Sequence, residues 1–112
     1  MTPVDELTPE QFEVLLATKL ADGLQRWSDT LLAATNWCRT NLEPSRTKTL
    51  CPYGTKHVFG WDCGDKYIRE IDFRAALTKA GFTFAPDGRV KARYTADAKR
   101  RMKRELKIDG VF

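Results

Sequence analysis

A chain of 112 residues, 42% hydrophobic and 30% charged, fits one small domain over residues 1–112 and can bury a single core. No run of about eighteen apolar residues exists, which excludes a membrane-spanning helix. The net charge of +4 is unevenly spread: residues 1–62 carry eight acids against six bases, residues 63–112 thirteen bases against seven acids. Such asymmetry points to a polyanionic or acidic partner for the second half, although a basic surface can also serve solubility alone.

The start, MTPVDELTPEQF, carries acids where a signal peptide needs a basic and then an apolar region. With three cysteines and no such signal, free thiols in the cytoplasm are expected. Residues 1–7 read as a loose acidic lead-in. Thr8 can cap a helix, Pro9 suits its first position, and Gln11 completes a capping box. Phe12, Leu15, Leu16 and Leu20 follow at helical spacing, and Leu24, Trp27, Leu31 and Ala34 extend the face. Gly23 and Ser28-Asp29 weaken the middle, so two helices or one kinked helix are expected, ending by Asn41 before Pro44. The stripe is core in the simplest reading. A partner groove or a dimer seam is the alternative, because it is long for a small monomer.

Residues 43–56, with two prolines and a glycine, read as a loop that could be mobile. His57–Trp61 is aromatic and β-branched, so a short strand is expected there. A helix from about Asp65 to Ala80 follows, closed by Gly81. Phe82, Phe84, Val90 and Tyr94 bracket Pro86-Asp87-Gly88, a hairpin turn. The last helix runs from Thr95 to about Ile108, with Ala98, Met102 and Leu106 as its apolar stripe. The fold class is α+β: a helical pair or kinked helix, a central strand, a helix, a β-hairpin and a basic C-terminal helix.

Cys38, Cys51, His57 and Cys63 could supply four zinc ligands, but their spacing lacks the close cysteine pair that pre-arranges two of them. No metal or other cofactor is expected. A nucleophile pair of His57 with Cys51 or Cys63 has no visible orienting group, and Ser28 and Ser45 sit in no nucleophile-elbow context. A phosphate-binding glycine loop is also absent, so a non-enzyme is expected.

The basic run is the strongest constellation. Arg89, Lys91 and Arg93 alternate with Val90, Ala92 and Tyr94, so three cations are expected on one strand face. Lys99, Arg100, Arg101, Lys103 and Arg104 follow on the helix, with Arg74 and Lys79 as neighbouring candidates. Several cations on one surface suit phosphates, because affinity there comes largely from counterion release. The run YIREIDFRAALTKAGF followed by a basic hairpin resembles the winged-helix segments of phage and plasmid replication proteins, over about a third of the chain. The resemblance implies a winged-helix-like fold.

The expected function is nucleic-acid binding through the hairpin and the C-terminal helix. The alternative is a phage-type inhibitor or adaptor that docks on a host nucleic-acid-processing complex through its charged faces. In that case the acidic residues Glu6, Glu10, Glu13 and Asp22 could occupy a basic channel.

Overall fold

The computed structural model describes residues 8–107. The expected lead-in at residues 1–7, Glu6 and Ile108 lie outside the described residues. Thr8 caps α1 (Pro9–Asn41), with the expected capping box: its hydroxyl accepts from the Gln11 N–H, and the Gln11 side chain accepts from the Thr8 N–H. One continuous helix of 33 residues forms, so of the two expectations the separate pair of helices is not found. Gly23 lowers propensity without ending the helix, since no proline or competing cap interrupts the ladder there.

The chain leaves α1 directly into β1 (Leu42–Pro44), which pairs antiparallel with β2 (Ala92–Tyr94). Leu42 faces Tyr94, Glu43 faces Arg93 and Pro44 faces Ala92. The stretch expected to be a loop from residue 43 to 56 thus supplies part of the sheet and the first turn of the next helix. Pro44 is tolerated because β1 is an edge strand with β2 on one side.

The expected strand at His57–Trp61 is a helix, α2 (Pro52–Asp62). Pro52, Thr55, Lys56, Phe59 and Gly60 are all buried, the three-and-four spacing of a helix face. Burial of Val58 and Phe59 in the core overrides their local preference for extended backbone. Gly60 is required here: a Cβ on it would lie 2.6 Å from the Lys66 carbonyl oxygen, and the Lys66 N–H donates to the Gly60 carbonyl at 3.2 Å.

α3 (Glu70–Lys79) begins later than the expected Asp65, because Gly64 and Asp65 both take positive φ and turn the chain first. Its end is as read from the sequence. Gly81 adopts φ +96°, the Gly81 N–H donates to Thr78 and the Phe82 N–H to Leu77, so two terminal carbonyls are satisfied. The turn at Pro86-Asp87-Gly88 is present, closed by Gly88 N–H to Ala85 and Ala85 N–H to Arg89. Its arms meet at a single bridge, Phe84 with Val90, and the regular ladder of β2 runs with β1 instead. α4 (Ala96–Glu105) starts at the Thr95 cap and is shorter than expected, ending as Lys107 turns to φ +54°.

Trp37 is the hub of the core. Its ring lies 5.7 Å from Phe59, 6.3 Å from Phe73 and 6.4 Å from Tyr94, tying α1, α2, α3 and β2 together. Val58, Leu77, Val90 and Met102 fill the remaining space. No described helix is long and apolar enough to cross a membrane.

Candidate nucleic-acid interface

The structure separates the three strand cations. Arg89 and Arg93 line a cleft of about 420 Å³ together with Lys48, Thr49, Cys51, Gly54, Thr55 and Tyr94. Lys91 opens instead on a second cleft with Ser45, Arg46 and Thr83. The expected alternation holds, with Val90, Ala92 and Tyr94 buried and the three cations exposed, but the Ala92 N–H donates to the Val90 carbonyl and bends the chain at Lys91. Arg89 is held by its Nε donating to Thr49 Oγ1 at 2.9 Å, and its own N–H donates to Asp87 Oδ1 at 3.0 Å. Arg93 pairs across the sheet with Glu43 at 2.6 Å, which partly neutralises it.

The start of α2 lies at the same cleft. Cys51 caps it without a side-chain hydrogen bond, and Pro52 has no N–H. The first-turn amides of Tyr53 and Gly54 therefore have no carbonyl within their own helix, and the helix dipole adds partial positive charge. Lys48, Arg89, Arg93 and this helix end make a concave, cationic surface of the kind that receives a phosphate.

On α4 the cations divide by role. Ala98 and Met102 are buried, while Lys99, Arg100, Lys103 and Arg104 spread over the opposite arc. Arg100 is paired with Asp97 on the surface, and Arg104 lies 3.8 Å from Glu105. Arg101 points inward. Its guanidinium grips both oxygens of Asp62 at 2.6 and 2.7 Å and also donates to Asn41 at 2.9 Å and Glu105 at 3.1 Å. Trp37 Nε1 donates to Asp62 at 2.7 Å. The Arg101 hydrogen bonds hold the Asp62 carboxyl below the usual carboxylate range, against the upward push of burial. Asp62 in turn raises the pKa of Arg101 further, so this cation is committed to joining α1, α2 and α4. Arg74 is likewise engaged, donating to the Gly88 carbonyl at 3.0 Å with its guanidinium 5.5 Å from the Phe84 ring centroid. The Lys79 carbonyl accepts from Arg39 at 2.9 Å, while its own side chain lies on the exposed surface of α3.

Two further sets of residues are not part of the site expected from sequence. Arg46 and Lys48, basic residues two apart, fall in the segment expected to be a loop and outside the basic run. Tyr53, His57 and Trp61 recur every fourth residue along α2, with Tyr53 and His57 rings 4.6 Å apart and His57 and Trp61 rings 6.1 Å apart. A strand over His57–Trp61 would also put His57 and Trp61 on one face, but about 13 Å apart and with Tyr53 outside it, whereas the helix stacks all three one turn apart. Lys56 lies beneath them, buried, with Nζ donating to the Ile68 carbonyl at 3.1 Å and flanked by Tyr53 and Tyr67.

Cys38, Cys51, His57 and Cys63 do not come together, and no group of three potential ligands is placed for a metal among the described residues. Cys38 is buried in the core, where burial pushes its thiol up to about 12. Burial also raises Cys63, with the Asp62 charge adding to it. A thiol held protonated is a poor nucleophile at neutral pH. Compared with protein-family models, curated proteins and solved structures, the chain matches none.

Proposed function

We propose that this chain is a small nucleic-acid-binding module of winged-helix-like design, which holds phosphates in the cleft of Lys48, Arg89 and Arg93 and extends its contact along the outer arc of α4. The element order supports the design: helix, strand, two helices, a turn and a returning strand that pairs with the first. The observation that carries the reading is the convergence of three cations on the uncapped start of α2. Arg101 is assigned to the framework and not to the ligand. Lys99, Arg100, Lys103 and Arg104 remain as phosphate contacts, with Lys91 and Arg46 at the neighbouring cleft.

Titration of a labelled short duplex at several salt concentrations tests this reading. Affinity should fall steeply with salt, and Lys48→Ala with Arg89→Ala should reduce the log–log slope by about two, roughly one for each lost phosphate contact. Binding that ignores salt, or no binding at low salt, would remove the proposal. The latter result would favour the rival reading, an inhibitor or adaptor whose acidic helix, with Glu10, Glu13 and Asp22, meets a basic protein surface.

A further inference from the structure

From Pro9 to Asp29 every residue of α1 is exposed, and this part of the helix extends about 30 Å, meeting the body at its end, where Arg26 and Trp27 border Tyr67, Ile68 and Asp72. Phe12, Leu16, Leu20 and Leu24 form a row four residues apart along it, 45%, 48%, 61% and 67% exposed. Leu15 widens the row, and Trp27 continues it to the body, where it lies beside Asp72. A lone helix of this length is marginal in water, and Gly23 in its middle weakens it further. Nothing within the protomer requires that glycine, because a Cβ there would meet no atom within 4 Å.

We propose that this arm pairs with the arm of a second copy, making the protein a homodimer through α1. The six apolar side chains expose on the order of 600 Å² per copy, close to the roughly 800 Å² each partner contributes to a stable interface, and flanking polar residues would supply the rest. Identical rows of residues four apart interdigitate in the commonest class of helix packing, so the row is complementary to itself. Gly23 lies on the same face, where the lack of a side chain lets a second helix approach. The borders carry opposite charge: Glu13 lies on one side of the row, Lys19 and Arg26 on the other, and a second copy can match them. Glu10, Glu13, Asp22 and Asp29 outnumber the two bases, which disfavours a polyanion as the arm's occupant.

The pairing does not depend on the nucleic-acid reading, and its test is the mass of the 112-residue chain in solution. Sedimentation equilibrium at concentrations up to about 100 μM should give about twice the 12.8 kDa of one chain. Leu16→Glu with Leu20→Glu, both at exposed positions, should return the mass to 12.8 kDa while the body keeps its cooperative unfolding and near-ultraviolet circular dichroism. Wild-type protein that stays at 12.8 kDa throughout this range would overturn the proposal, as would a charged double variant that still doubles its mass.

Discussion

One continuous helix passes through two different environments. Its first part, the arm from Pro9 to Asp29, has a complete capping box, a proline at the first position and a long apolar row, yet every residue in it is exposed. Its last part, from Leu31 to Asn41, has weaker local signals but is fixed by Trp37 and Asn41 against α2, α3, β2 and α4. α2 makes the same point from the other side. Its Tyr-Gly-Thr-Lys-His-Val-Phe-Gly run is poor in helix formers, and the core holds it helical. Local propensity places helix ends well here. Whether a segment belongs to the folded unit is decided by what it packs against.

Substitutions should sharpen that contrast, beginning with the body. Phe73→Ala removes a fully buried ring that contacts Trp37 and Phe59, and should cost about 3–5 kcal/mol in denaturant unfolding. Arg101→Met should follow, at about 2–3 kcal/mol, because it leaves the Asp62 carboxylate buried with the Trp37 indole and no cation. The same network sets an acid limit. Asp62 is held below its ordinary pKa by Arg101, and Asp72 is held below by the hydrogen bonds of Arg69. Their contribution is present above the unfolded carboxylate value of about 4 and is lost as pH falls below it toward the lowered folded values. Unfolding midpoints measured from pH 7 downward should drop in this window, and Arg101→Met should drop less.

Gly60→Ala should cost about 1–3 kcal/mol, since its Cβ would press on the Lys66 carbonyl and force the α2–α3 connection apart. The smallest effect is expected in the arm. Leu20→Ala, measured where the chain is monomeric, should shift stability by less than about 0.5 kcal/mol, although the same substitution in a core costs several. A large loss there would show that the arm folds back on the body, and the contrast between the two regions would fail.

Much of the fold was legible from residues that act locally. Thr8, Thr95, Gly81 and Pro86-Asp87-Gly88 each set a cap or a turn through chemistry contained within a few residues, and each is found as read. What escaped depends on distant partners. Leu42–Pro44 is a strand only because β2 lies beside it, and His57–Trp61 is helical only because the core accepts one side of it. The candidate site divides in the same way. Charge counting located the basic run but could not separate Arg101, drawn inward by Asp62 from 39 positions away, from the cations left at the surface. Nor could it join Lys48 to Arg89, since that pairing is made by the bridge of Leu50 with Val90.

Phosphates are proposed to bind at the cleft where Lys48, Arg89 and Arg93 meet the start of α2. Backbone amide shifts followed by NMR during addition of a short duplex at low salt test it most directly. The largest changes should fall on residues 48–55 and 89–93, with Tyr53 and Gly54 among them, and should reverse as salt is raised. Changes confined to the arm, or none at all, would contradict it.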